Sequence, residues 1–172
     1  MSDITFDHIE LKPDLVDYVI YHGNCIDGFT SAFCAYDYLS NKYPNRNVTY
    51  YSASFDKLPP LDEIKNKNIL MCDFSYKYAN LMKIINVCNK FCILDHHLSA
   101  LNELKDVPDK YKVFRMDHCG SYLTYRYFNQ DKSNQEVPMM IKYVEDNDIW
   151  LKKEYKTHEF TSYVYTMPFT FE

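Results

Sequence analysis

Apolar residues along the chain fall into two patterns, short runs and longer stretches with helical spacing. Five short segments rich in apolar or aromatic residues predict strands at 17–21, 48–52, 69–72, 91–94 and 112–116. Apolar positions three and four residues apart predict helices at 29–39, 78–88, 98–105, 121–128 and 138–145. Strands that alternate with helices predict an α/β fold, an open and mostly parallel five-stranded sheet with helices on both faces.

Side chains that commonly bind metal ions follow three of the predicted strands directly. They are His22, Asp73 and the run Asp95-His96-His97. Because the carboxyl ends of parallel strands meet at one edge of a sheet, where α/β proteins form their sites, we expect these side chains to converge. An ordinary polar turn would explain any one of them, but three such strand ends rarely coincide by chance.

The rest of the chain is predicted with less regular structure. Residues 1–16 are expected to be a loose lead-in, 17–150 a single domain, and 151–172 a tail without a separate substrate-binding domain. Trp150 is interpreted as a core residue. Asp117 and His118 precede the helix predicted at 121, where such residues commonly cap a helix.

Composition narrows the class of protein. The chain has 172 residues, 47% of them hydrophobic, and a net charge of −5, which indicates a globular domain without a broad basic surface for duplex DNA. It has no apolar run of about 18 residues and no signal peptide, so we predict a cytoplasmic protein without a membrane partner. Six cysteines without a CxxC pair predict reduced, mostly buried thiols.

The candidate site combines carboxylates with imidazoles. Its members are His22, Asp27, Asp73, Asp95, His96, His97 and Asp146, with Asp148 as the competing choice for the last position. Oxygen and imidazole donors suit divalent ions such as Mn²⁺ or Mg²⁺. Clustered carboxylates repel one another, and a bound cation relieves that repulsion.

Four motifs cover residues 17–150 in a fixed order. They are His22-Gly23-Asn24-Cys25-Ile26-Asp27-Gly28-Phe29-Thr30-Ser31-Ala32, Met71-Cys72-Asp73, Asp95-His96-His97 and Asp146-Asn147-Asp148. In this combination and order the chain resembles the DHH phosphoesterase superfamily. That superfamily includes RecJ-type nucleases, nano-RNases, cyclic-dinucleotide phosphodiesterases and family II inorganic pyrophosphatases.

The resemblance implies a role for each motif residue. Asp73 would bridge two metal ions, His22 would bind the first ion, and Asp27, His96 and Asp146 would bind the second. Asp95 and His97 would be the catalytic pair, with Asp95 orienting its neighbours and His97 facing the phosphate. The implied activity is hydrolysis of a small phosphorylated compound, a nucleotide or a short oligonucleotide. It would proceed by two-metal activation of water, with up to two Mn²⁺ ions or, alternatively, Mg²⁺, Zn²⁺ or Fe²⁺.

Two departures from the superfamily pattern leave an alternative open. Cys25 stands where the family usually has Asp, and a thiolate is a soft ligand that suits Zn²⁺ or Fe²⁺ better than Mn²⁺. The chain has only three glycines and therefore lacks the glycine-rich motif of the family's C-terminal substrate-binding domain. The alternative is a catalytically inactive DHH-like domain used for binding or assembly.

Overall fold

Five parallel strands form one open sheet in the computed structural model, which describes residues 4–132 and 135–171. The strands are β1 (Tyr18–His22), β2 (Thr49–Ala53), β3 (Asn68–Cys72), β4 (Lys90–Asp95) and β5 (Lys112–Phe114). Their order across the sheet is β2-β1-β3-β4-β5, and every neighbouring pair is parallel. The predicted α/β sheet is confirmed, and it is wholly parallel.

Helices connect the strands and follow the last one. They are α1 (Ile26–Lys42), α2 (Leu61–Ile64), α3 (Tyr78–Val87), α4 (Leu98–Glu103), α5 (Gly120–Phe128), α6 (Met139–Asp148) and α7 (Thr157–Val164). Short 3₁₀ turns lie at Pro13–Leu15, Asp109–Tyr111 and Gln130–Lys132. Helix α1 begins three residues before its predicted start. The sequence did not indicate this first turn because it contains Gly28, a poor helix former, and the turn is stabilised by tertiary contacts.

Each face of the sheet carries its own apolar core. On one face, alternate strand residues such as Val19 and Leu70 pack with helices α1 and α5. On the other face, the intervening residues such as Ile20 and Met71 pack with α2 and α3. A strand buried on both faces needs apolar residues at nearly every position, which is why the central strands β1, β3 and β4 appear in the sequence as apolar runs, whereas the edge strands β2 and β5 include polar residues.

The N-terminal segment was expected to be a loose lead-in, but it packs onto the first of these cores. Phe6, Ile9 and Leu11 are buried there. The Phe6 ring meets the Tyr127 ring edge to face, and the Tyr127 hydroxyl donates a hydrogen bond to the Leu11 carbonyl at 2.7 Å. The sequence hid this packing because the apolar positions of the segment follow neither a helical nor a strand period.

The C-terminal residues also hold structure that the sequence did not predict. Helix α7 packs against α6, and after it Phe169 stacks on Phe29 while Phe171 packs against Tyr50. Trp150 is 78% exposed, so its interpretation as a core residue was wrong.

All six cysteines are free thiols, and four of them are buried. None of the helices in the described part of the chain has the length and apolar character needed to cross a bilayer.

Replacing Tyr127 with Phe tests the packing of the N-terminal segment. Tyr127→Phe leaves the buried Leu11 carbonyl without its donor, so we expect the free energy of unfolding to fall by about 1–3 kcal/mol. Urea denaturation measures this loss. The control is Tyr163→Phe, at an exposed ring on α7, which should change stability by less than about 0.5 kcal/mol. Equal effects from the two variants would contradict the packing described here.

Candidate metal centre

The candidate site lies where the strand order reverses. From β1 the chain goes to β2 on one side and then to β3 on the other, so the carboxyl ends of β1 and β3 border a crevice. Residue His22 ends β1, Asp73 follows β3 and Asp95 ends β4. The topology therefore brings the three predicted strand ends to one place.

Asp73 occupies the centre of the site in an unusual backbone conformation. Its φ is 53°, a left-handed value that Asp tolerates better than most residues, and its side chain is only 1% exposed. Oδ1 lies 3.1 Å from His96 Nε2, while Oδ2 lies 3.7 Å from His22 Nδ1. The second distance is too long for a hydrogen bond, and both Asp73 Oδ2 and His22 Nδ1 are buried without a hydrogen-bond partner.

Two glycines allow the surrounding helices to approach these strand ends. A Cβ at Gly120 would lie 2.5 Å from the Asp73 Cβ, and one at Gly28 would lie 2.2 Å from the His22 carbonyl oxygen. Both distances are far below van der Waals contact, so no side chain fits at either position without displacing the site. The N-terminal turns of α1 and α5 are thereby held against Asp73 and His22.

Asp27 is the carboxylate that α1 delivers from its first turn. It is completely buried and accepts hydrogen bonds from the backbone N–H groups of Gly120 at 2.7 Å and Ser121 at 2.9 Å, at the N-terminus of α5. Burial raises the pKa of Asp27 well above its ordinary value, and the nearby carboxylates of Asp73 and Asp148 raise it further. A cation beside Asp27 would reverse this effect.

His96 contacts three carboxylates at once. Its Nε2 lies 3.1 Å from Asp73 Oδ1, 3.3 Å from Asp148 Oδ2 and 3.6 Å from Asp27 Oδ2. Burial alone would lower the pKa of His96, but the hydrogen bond to Asp73 and the other carboxylates raise it to about 9. For Asp73, burial raises the pKa and the imidazoles of His22 and His96 outweigh it, so its pKa falls to about 2.

Asp95 has a positioning role. The carboxylate is completely buried and accepts hydrogen bonds from the Ser75 hydroxyl at 2.6 Å and from the backbone N–H groups of His96 and His97. Its Oδ1 also lies 2.6 Å from His97 Nδ1. With Nδ1 so engaged, Nε2 is the His97 nitrogen that can meet a ligand, and 39% of this side chain is exposed.

Two sets of donor atoms emerge from this geometry. The first donor group consists of His22, Cys25 and Asp73, and the second donor group consists of Asp27, His96 and Asp148. Within each group the ligand atoms lie within 4.8 Å of one another. A third combination joins Asp73 and His96 to Asp95 and His97, but Asp95 is already saturated by the hydrogen bonds above.

Cys25 is the residue directly before α1, and its thiol belongs to the first donor group. It is half-buried, and burial together with the Asp73 carboxylate raises the pKa of its thiol to about 12. The Cys25 thiol therefore lies among the candidate ligands of the first ion, where a soft donor would favour Zn²⁺ or Fe²⁺ over Mn²⁺.

Asp146, the predicted ligand, lies outside both donor groups, and this expectation is corrected. Its carboxylate accepts hydrogen bonds from the Lys153 N–H and from the Thr157 hydroxyl, which fastens α7 to α6. Asp148 takes the expected place beside His96. Two residues on a helix differ by about 200° in direction, so the two carboxylates of the motif cannot face the same site.

Two further residues contribute to the site through hydrogen bonds to its carboxylates. Ser75 orients Asp95, and Gly120 gives its N–H to Asp27. The predicted capping role of Asp117 and His118 was wrong. Asp117 pairs with Arg115, His118 pairs with Glu145, and the residue at the start of α5 makes no side-chain capping bond.

The donor chemistry fits divalent cations. Throughout residues 4–132 and 135–171, every ion pair of the site carboxylates is with a histidine. Two ionised carboxylates whose oxygens lie within 4.8 Å, as those of Asp27 and Asp148 do, repel by at least about 3.5 kcal/mol at an effective dielectric of about 20. The orphaned atoms Asp73 Oδ2 and His22 Nδ1 are also suitably placed to act as ligands.

Comparisons with known proteins identify relatives but no activity. The chain is 42% identical over 167 residues to an uncharacterized protein of Acanthamoeba polyphaga mimivirus, an alignment that covers 92% of this chain and 39% of that protein. An uncharacterized protein from Helicobacter pylori, known from a crystal structure, has a similar fold. Its TM-score is 0.61 at 17% identity, over 87% of this chain and 49% of that chain. No protein-family model matches the sequence. The chain spans less than half the length of either relative, and the second likeness establishes the fold alone.

Substitutions at Asp146 and Asp148 separate the metal site from the helix contact. We expect wild-type protein to bind Mn²⁺ in a calorimetric titration and Asp148→Asn to weaken that binding, because a ligand oxygen of the second donor group is lost. Asp146→Ala should leave Mn²⁺ binding intact but lower the free energy of unfolding of the metal-free protein by about 1–3 kcal/mol, because two donors lose their acceptor. If Asp146→Ala weakened Mn²⁺ binding and Asp148→Asn did not, Asp146 would be the metal ligand.

A second pair of variants tests the thiol of the first donor group. Cys25→Ser should weaken Zn²⁺ binding more than Mn²⁺ binding, because a thiolate prefers the softer ion, whereas Cys25→Asp should strengthen Mn²⁺ binding. Cys88→Ser, at another half-buried cysteine that ends α3 before the amino end of β4, on the opposite edge of the sheet from the site, serves as the control and should change neither. If Cys25→Asp merely lowered the melting temperature, with metal binding unchanged in every variant, Cys25 would be a packing residue only.

Proposed function

We propose that the protein is a metal-dependent phosphohydrolase of the DHH phosphoesterase type. The observation that carries this proposal is the orientation of Asp73, whose two oxygens serve different donor groups. Oδ1 faces the second donor group through His96, and Oδ2 faces the first through His22. A carboxylate shared in this way is what a two-metal site requires, and two-metal sites are a recurrent solution for phosphoryl displacement.

Two ions would be held by residues already in position. The second donor group offers two carboxylates and an imidazole, a set that suits Mn²⁺ first and Mg²⁺ as an alternative. The first donor group offers an imidazole, a carboxylate and a thiol, which extends the choice to Zn²⁺ or Fe²⁺. When bound, the ions supply Lewis-acid chemistry that polarises phosphoryl oxygens and activates water.

His97 provides the group that meets the phosphate. Asp95 holds its Nδ1 at 2.6 Å, which fixes the orientation of the ring and leaves Nε2 to donate a hydrogen bond to a phosphoryl oxygen. The hydrogen bond to Asp95 raises the pKa of His97, so the protonated, donating form is favoured. Asp95 itself is buried away from any substrate, and its effect is exerted through His97 and the backbone of the Asp95-His96-His97 turn.

The substrate class follows from the charge of the site. The site is lined by carboxylates whose ion-pair partners are histidines. An anionic substrate would therefore be attracted mainly by the bound metal ions. A small phosphorylated compound, a nucleotide or a short oligonucleotide meets this condition, because its phosphate can reach ions set in a crevice. Six free thiols agree with a reducing compartment, and the proposal includes a cytoplasmic location.

Cys25 favours one alternative, a catalytically inactive DHH-like domain that binds or assembles. A weakened first donor group would leave a single ion, enough to bind a phosphate but without the second cation that activates water. The remaining ligands nevertheless lie close together. Buried carboxylates that repel one another would only destabilise a domain that no longer bound metal. Hydrolysis therefore remains the leading proposal.

A substrate screen with a matched pair of variants tests the proposal. Wild-type protein in Mn²⁺ should hydrolyse at least one of five substrate types, namely dinucleotides, trinucleotides, cyclic dinucleotides, 3′,5′-bisphosphate nucleotides and pyrophosphate. Asp73→Asn should lower turnover by about tenfold or more, a loss of at least about 1.4 kcal/mol of transition-state stabilisation, because a neutral amide cannot serve two cations.

The control is Asp109→Asn, at a carboxylate that is 90% exposed, and it should retain full turnover. Chelation of the metal should abolish activity in wild type. If Mn²⁺ binds to the wild-type site and none of the substrates is hydrolysed, the binding-domain alternative is correct. If Asp73→Asn is as active as the control, the shared-carboxylate assignment is wrong.

A further inference from the structure

A pocket of about 590 Å³ opens beside the metal centre, between the end of α6 and the start of α7. Residue Asp148 forms part of its wall, and its carboxylate belongs to the second donor group. The pocket is within the range of about 300–1,000 Å³ that small-molecule sites occupy. A ligand in it would therefore have one end next to the ions that the donor groups would hold.

Trp150 lines this pocket and is presented to solvent by a constrained backbone. The ring is 78% exposed, and its φ of 57° is rare for a bulky residue. Lys152 and Lys156 are also left-handed, with φ of 56° and 64°. Asp146 fastens the segment by accepting hydrogen bonds from the Lys153 N–H, in its middle, and from the Thr157 hydroxyl, directly after it. Strain that is held in place in this way is found mainly at functional sites.

The polar lining of the pocket is acidic on balance. It includes two lysines, Lys152 and Lys156, and four carboxylates, those of Asp146, Asp148, Glu154 and Glu159. Carboxylates repel a phosphate but accept hydrogen bonds from ribose hydroxyls and from base amino groups. An exposed indole offers a flat surface on which a base of any kind can stack. The lining thus suits a neutral, hydrogen-bonding, aromatic group better than a second phosphate.

We propose that this pocket binds the nucleoside part of a nucleoside phosphate, with the base stacked on Trp150 and the phosphate directed past Asp148 to the donor groups. The phosphate end of this inference rests on the proposed function. The inference narrows the substrate from phosphorylated compounds in general to nucleotides, and it makes Trp150 a specificity-determining residue.

The experiment uses the fact that Trp150 is the only tryptophan in the chain, so that intrinsic indole fluorescence reports on this ring alone. The probes are the isosteric phosphonate analogues of AMP and of ribose 5-phosphate, in which a carbon replaces the bridging oxygen and prevents hydrolysis. In the presence of Mn²⁺, the AMP analogue should quench the fluorescence saturably. The ribose analogue should bind about fivefold more weakly or worse by calorimetry, without quenching.

Three variants locate the effect. Trp150→Ala should weaken binding of the AMP analogue by about 5- to 150-fold and leave binding of the ribose analogue unchanged. Trp150→Phe should retain most of the affinity, because it keeps an aromatic surface. Tyr155→Ala removes a ring that is equally exposed, at 79%, but does not line the pocket, and it should match wild type.

The outcomes separate this inference from the proposed function. Equal affinity of wild type for the two analogues, or no loss in Trp150→Ala, would overturn the nucleoside pocket even if the protein hydrolyses phosphate esters. Saturable quenching and a loss in Trp150→Ala would support the pocket even if no substrate is turned over. Quenching that depends on protein concentration alone, with a dimer in sedimentation, would assign Trp150 to a contact between copies and overturn the inference.

Discussion

The burial of several carboxylates at one edge of the sheet is the constraint on which the rest of the site depends. Asp27, Asp73, Asp95 and Asp148 meet there, and the first three are almost completely removed from solvent. Such a cluster is tolerable only if each charge is compensated. Asp27 is compensated by the N-terminus of α5, Asp95 by its four donors, and Asp73 by a hydrogen bond with His96 at Oδ1. Oδ2 of Asp73 has no hydrogen-bond partner, because His22 lies 3.7 Å away, and this is the oxygen that a cation would complete.

This constraint explains local features that otherwise look unrelated. The left-handed backbone at Asp73 turns its carboxylate into the crevice, and Gly28 and Gly120 let two helix N-termini approach it. A positive helix end beside Asp27 reduces the cost of burying that charge. His96 lies between three carboxylates because β4, the strand that it follows, is the neighbour of β3.

The sequence predicted the sheet well because strands buried on both faces leave an unmistakable apolar signature. It also identified the residues at strand ends, since parallel topology brings those ends together. Asp146 and Asp148 could not be distinguished, because the choice depends on the rotation of α6, which follows from how Ile141 and Val144 pack against α1 and α5. The buried N-terminal segment and the exposed Trp150 were missed because both depend on tertiary contacts without a periodic pattern.

The most direct test of the two-metal account is anomalous diffraction from crystals soaked in Mn²⁺. A two-metal site should give two peaks about 3.5–4 Å apart, one on each oxygen of Asp73. One peak should lie within ligand distance of His22, and the other should lie near Asp27, His96 and Asp148. A single peak held by Asp95 and His97, or peaks that do not involve Asp73, would contradict it.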